Sequence, residues 1–213
     1  MKGIDQFFEY AGLVLLFTNT CLFFKSYAFH KKNTALRIFS VYLLLTFLVL
    51  FGSFLLALYK INNLYLSHFY FIIQFILLSL FYKALFTKMQ RIWVKIILIS
   101  VLITLGIQYA CQPGLYYTFN TLEVFLTSFP LVVYSIVHLY NSLNKSGELM
   151  YINAGILVYL ATSTLIFILG DYLSGFNNEI VKNIWFLNKV LYAGYLILIL
   201  LEWKKNLRPD RNR

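Results

Sequence analysis

The chain has 213 residues, of which 61% are hydrophobic, 19% aromatic and only 12% charged, and its mean hydropathy is +0.74. A soluble domain is roughly 45–50% apolar and about 25% charged, so this chain has too little polar surface to coat a water-soluble globule. Disordered, collagenous and disulfide-scaffold classes are excluded with it, which leaves one compact membrane unit over 1–213.

A helix needs about 20 mostly apolar residues to cross roughly 30 Å of hydrocarbon. Seven stretches qualify, at 5–29, 35–60, 62–84, 91–110, 118–143, 149–173 and 183–203. The expected fold is therefore all-α, a polytopic bundle of seven transmembrane helices. Short breaks such as Lys31-Lys32-Asn33-Thr34, Lys88-Met89-Gln90 and Cys111-Gln112-Pro113-Gly114 join them, which makes sequential helices antiparallel. A β-barrel is excluded because the apolar runs are continuous and do not alternate with period two.

Lysine and arginine set orientation, since they are retained on the cytoplasmic side. Fourteen of the eighteen basic residues fall at the first, third and fifth connections and in the tail Lys204, Lys205, Arg208, Arg211 and Arg213. The expectation is an N-terminus outside and a basic cytoplasmic tail over 204–213. The net charge of +10 is then a topology signal that also attracts anionic lipid. Nucleic acid is excluded as a partner because no extramembrane segment is long enough to form a recognition module. Asp5 and Glu9 interrupt any signal-peptide pattern, so the first stretch is retained as a helix. Cys21 and Cys111 lie near opposite membrane faces and are expected to be free.

Polar groups inside spans are costly and mark candidate sites. Counting 1.5 Å per residue, Glu9, His68, Glu123, Asp171 and Lys189 fall in the outer third, with Asn120 and Asn188 at similar height and Gln74 nearer the midplane. Glu123, read as more than one turn inside its helix, needs a partner, and Lys189 and His68 are the candidates. Together His68, Gln74, Asn120, Glu123, Asn188 and Lys189 form the candidate ligand-binding set of a polar pocket opening outward; a purely structural network is the competing reading. Thr162, Ser163 and Thr164 are expected to bond back to their own helix, and Asn153 to bridge neighbours. Pro130 should kink the fifth helix, with Thr127 or Ser128 satisfying the freed carbonyl.

Asn63-Leu64-Tyr65, His68-Phe69-Tyr70 and Gln74-Phe75, then Thr121-Leu122-Glu123, then the run from Tyr151-Ile152-Asn153-Ala154-Gly155 to Tyr159 carry a resemblance. They resemble an uncharacterised family of small bacterial seven-helix integral membrane proteins, loosely associated with sensor histidine kinases. The family pattern reads His-x-Tyr followed by Glu-Phe, then Arg-Thr-Leu-Glu, then Trp-Ile-Asn-x-Gly. Gln74 stands where the pattern has glutamate and Asn120 where it has arginine. The resemblance implies a signalling setting in a bacterial inner membrane and brings no established reaction.

Three function classes follow. A non-enzymatic sensing or signalling accessory fits seven helices without an output domain and needs a partner protein. A small-molecule transporter should show repeats and broken helices in both halves, yet one proline-broken helix stands alone. An intramembrane lipid-modifying enzyme could use Glu123 with His68, but His30, His68 and His138 have no metal-ligand spacing, so no metal and no cofactor are expected. A retinal chromophore is disfavoured: Lys189 lies too near the surface, the third helix has no carboxylate, and Trp93, Trp185 and Trp203 read as interfacial anchors at helix ends.

Overall fold

The computed structural model of the protein describes residues 2–29, 33–143, 148–173 and 178–207. The helices are α1 (Lys2–Phe29), α2 (Thr34–Leu58), α3 (Tyr65–Leu85), α4 (Lys88–Cys111), α5 (Thr121–Ser142), α6 (Met150–Leu173) and α7 (Asn178–Glu202). All seven are long and apolar enough to cross a membrane. In hydrocarbon every backbone polar group must be satisfied within the protein, and a continuous helix does so without help from its neighbours.

Capping chemistry sets boundaries that the apolar runs miss. Thr87 and Gln90 form a reciprocal capping box, which turns Lys88, Met89 and Gln90 into the first turn of α4. Asn33 caps α2 by accepting from the Leu36 amide at 2.9 Å. Pro113–Tyr117 form a 3₁₀ turn before α5, so that helix starts at Thr121 and Glu123 lies in its first turn. The expectation of a Glu123 deep within its helix is corrected accordingly.

Six helices close a ring in the order α1, α2, α3, α5, α6, α7, with α7 returning to α1; α4 packs outside the ring against α3 and α5. α4 buries only the seam Val94, Val101 and Leu105 and presents Ile96, Ile99, Ile103 and Ile107 outward. That outward face has the composition hydrocarbon requires. The buried residues of α2 all lie in its first half, from Ala35 to Thr46. The half of the ring nearer the C-terminus is therefore closed, filled by Phe39, Tyr42, Phe81 and Tyr82.

Within that closed half Asn153 bridges three helices. It accepts from Tyr82 OH and from Ser135 Oγ, each at 2.8 Å, and donates to the Ser135 carbonyl at 3.1 Å. Asn153→Leu is expected to strand these groups and lower stability by about 1–2 kcal/mol, since single interhelical bonds in bilayers are worth about 0.6 kcal/mol and several fail together. Reversible unfolding in mixed micelles reads the value, and an unchanged midpoint would mean the bridge carries no net stability.

Thr164 donates to the Leu160 carbonyl at 2.7 Å and Ser163 to the same carbonyl at 3.5 Å, the back-bonding expected for these two of the three residues. Thr127 instead bonds the Glu123 carbonyl at 2.7 Å. The carbonyl that Pro130 frees belongs to Leu126, one turn before the proline, and among the described residues neither Thr127 nor Ser128 donates to it, so the anticipated rescue does not occur. Cys21 and Cys111 are both free and exposed.

Candidate functional site

Polar side chains anticipated as one layer separate into two centres. The first lies between α3, α4 and α5. His68 Nδ1 approaches Glu123 Oε2 at 2.5 Å, and Tyr109 OH donates to the same oxygen at 2.6 Å. Tyr109 OH also lies 2.9 Å from His68 Nδ1, so the imidazole, the phenol and the carboxyl oxygen meet at one point. His68 and Glu123 are 4% and 1% exposed, so the pair is sealed from solvent.

The local sequence explains the placement of the carboxylate. Asn120 caps α5, its Oδ1 accepting from the Glu123 amide at 3.2 Å. A carboxylate in the first turn is favoured by the helix dipole. Glu123 does not bend back to its own cap; it spans to α3 and α4. Gln108 and Asn120 exchange amide bonds at 3.1 and 3.4 Å, and Asn120 also donates to Tyr109 OH at 3.3 Å. Gln90 and Asn141 make a second reciprocal pair at the other end of α4, at 3.3 and 3.1 Å. The outer helix is thus held at both ends by amide pairs and at one end also by the Glu123 carboxyl group.

The second centre lies on α1 and α7. Lys189 Nζ donates to Asp5 Oδ2 at 3.0 Å and to Glu9 Oε2 at 3.1 Å. Asp5 and Glu9 are four residues apart and share one face of α1, so one ammonium reaches both. Lys189 is therefore not the partner of Glu123, which corrects that alternative; helix order puts α7 beside α1 and α6 instead. The Asp171 side chain lies outside the described residues.

Beside this second centre is a chamber of about 500 Å³ inside the ring, at the end carrying the N-terminus. Leu50 and Ser53 of α2, Ser67 and Tyr70 of α3, Tyr159 and Phe167 of α6, and Trp185, Asn188, Lys189 and Tyr192 of α7 form its walls. A second cavity of about 320 Å³ lies on the α1 side and shares Leu50, Ser53, Asn63, Lys189 and Tyr192 with the first. Asn63 closes the wall between them by donating to Ser53 Oγ at 2.8 Å. Trp185 lines this chamber: its ring meets Phe167 edge to face at 5.4 Å and lies 3.4 Å from where a Gly170 Cβ would stand. Of the other two tryptophans, Trp93 is 61% exposed near the start of α4 and Trp203 donates to Ser26 Oγ at 2.8 Å.

Of the six candidate residues, His68, Asn120 and Glu123 come together, and Asn188 and Lys189 line the chamber. Gln74 is buried with Oε1 unpartnered among the described residues and lines neither cavity. Tyr109 and Gln108 were not anticipated, because nothing local distinguishes one tyrosine among 17. Asp5 was visible only as a charge near the start of the chain. For α5, Asn120-x-x-Glu123 is a legible helix-start signal that would have placed the carboxylate in the first turn.

The fold and these centres define an all-helical, multi-pass membrane protein with an internal chamber at one end. No family model, no curated protein and no solved structure matches the chain. The described residues hold seven helices long and apolar enough to cross a membrane, as a seven-helix membrane protein requires.

Proposed function

We propose that this chain is a non-enzymatic sensing or signalling accessory of a bacterial inner membrane, which takes a small, largely apolar molecule into its chamber and acts through a partner protein. The observation that carries the reading is the chamber of about 500 Å³, walled by aromatic side chains and a few polar groups inside the ring. Ligand sites have this composition and size, roughly 300–1,000 Å³. A ligand that binds one arrangement of the ring better than another shifts its population and need not be changed or moved across the membrane. The basic-residue distribution supports an outward N-terminus and a cytoplasmic C-terminus, with anionic lipid around the basic connections. The resemblance to proteins associated with sensor kinases points the same way.

The enzyme alternative would place its chemistry on Glu123 and His68. Neither residue lines the chamber, and the pair is occupied by Tyr109, which leaves a substrate no approach from that side.

Reconstituted alone in liposomes, the protein is expected neither to accumulate solutes nor to release lipid products. In native membranes, site-directed cross-links to a second membrane protein should form and should fall in yield when Ser67→Phe fills the chamber. Proton-coupled uptake or lipid turnover by the pure protein, abolished by Glu123→Gln, would overturn this reading in favour of a transporter or an enzyme.

A further inference from the structure

We propose that a recess between α2, α3 and α4 holds one anionic phospholipid, with its phosphate set between Lys83 and Arg91. The recess follows from the position of α4 outside the ring. That helix packs on α3 and α5, which leaves a space of about 310 Å³ over the last turns of α3, between α4 and the start of α2. Thr34, Ile38, Leu80, Lys83, Ala84 and Arg91 line it. It lies on the outside of the bundle, at the end opposite the chamber.

Lys83 and Arg91 are the charged side chains of the recess, and both have donors to spare. Arg91 Nε donates to the Phe86 carbonyl at 2.7 Å, which fixes the guanidinium against the end of α3. Its Nη1 and Nη2 groups and Lys83 Nζ make no hydrogen bond or ion pair among the described residues. A guanidinium held in this way can meet a phosphate through two parallel bonds, and the lysine adds a point charge beside it. Glu148 lines an adjoining recess that shares Thr34 and Ala84, yet it pairs with neither cation, and one carboxylate against two cations leaves the place positive. The sequence just before Asn33, His30-Lys31-Lys32, brings two more lysines and no carboxylate.

Depth fits a lipid better than a soluble anion. Lys83 stands two residues from the end of α3 and Arg91 near the start of α4, at the level where a bilayer carries its phosphates. Ile38 and Leu80 lie about one turn deeper on α2 and α3, where an acyl chain would follow its headgroup. Basic pockets between spans recognise anionic headgroups in this manner. Retention of basic residues on one side of the membrane explains why cations gather at this end, but it requires no recess. Lys88 and Lys95 mark the difference, since they stand on the same helix as Arg91, exposed and outside the recess.

The test counts lipids retained by the full chain in native mass spectrometry, after exposure in detergent to equal amounts of dioleoylphosphatidylglycerol and dioleoylphosphatidylcholine. One phosphatidylglycerol should be retained about tenfold more than phosphatidylcholine. Lys83→Gln, and separately Arg91→Lys, which keeps the charge and loses the paired contact, should each lower that retention about fivefold. If Arg91→Lys fails to fold, Lys83→Gln carries the comparison alone. The double variant Lys88→Gln/Lys95→Gln removes two charges from outside the recess and should leave retention unchanged. Glycerol 3-phosphate in large excess should not displace the lipid, because it has no chain to lie on Ile38 and Leu80. Equal retention of the two lipids, or of neither, would overturn the site. Equal loss in the Lys88 and Lys95 double variant would reduce it to diffuse surface attraction, and displacement by glycerol 3-phosphate would assign the recess to a free phosphate ester; either result overturns the lipid.

Discussion

Glu123→Leu is expected to lower the stability of the bundle by about 3–5 kcal/mol, because breaking a sealed pair from one side leaves the other partner without compensation. The carboxylate holds His68 Nδ1 at 2.5 Å and Tyr109 OH at 2.6 Å in a region that is 1% exposed at Glu123. His68→Leu should cost a similar amount. The double variant should cost clearly less than the sum, since two apolar groups leave no stranded charge. Lys189→Met provides the contrast: it shares no hydrogen-bond partner with Glu123, so Glu123→Leu/Lys189→Met should be additive within about 0.5 kcal/mol. Thermal unfolding in one detergent, read for all five variants, decides the matter. Additivity between His68 and Glu123 would show that the two groups do not depend on each other, and strong coupling between Glu123 and Lys189 would refute the separation into two centres.

The second large effect is expected at Gly155. A Cβ there would stand 2.9 Å from Tyr195 Cδ2 and 3.4 Å from Leu198 Cβ. Contacts below 3.0 Å require movement, and the Tyr195 ring has little room to move. It is stacked on Tyr159 at 5.3 Å and 7°, and its hydroxyl donates to Tyr42 at 3.4 Å. Small residues at helix interfaces let backbones approach, so Gly155 sets how closely α6 meets α7. Gly155→Ala should cost about 1–3 kcal/mol by overpacking, and Gly155→Leu more, with the two helices forced apart. Gly194→Ala serves as the control: nothing lies within 4 Å of its added methyl, and alanine is the better helix former. Equal midpoints for the two alanine variants would mean that the α6 and α7 contact tolerates the extra volume.

These two positions also show where local sequence stops being informative. Glu123 could be singled out from its residue type alone, because a carboxylate among apolar residues needs a partner, even though it stands in the first turn of α5 and not deep within it. Its partner could not be chosen between His68 and Lys189, since that depends on which helix stands beside which. Gly155 carries no local sign of its role: Gly106 and Gly194 also sit in apolar helices, yet their added methyls meet nothing.

The composition and the lengths of the apolar runs by themselves determined that the described residues form seven helices fit to cross a membrane, whereas the caps at Asn33, Thr87 and Asn120 start three of them at Thr34, Lys88 and Thr121 and not at the 35, 91 and 118 that the apolar runs predict. Both properties are local: a bilayer forces each span to satisfy its own backbone, and a cap acts within one turn. Only the tertiary structure decided that α4 stands outside the ring, that Lys189 reaches Asp5 and Glu9, that Tyr109 joins His68 and Glu123, and that Trp185 lines a chamber. Helices apolar on all sides carry little periodicity to mark which face turns inward, so their order and rotation come from the fit of side chains between spans far apart in the chain.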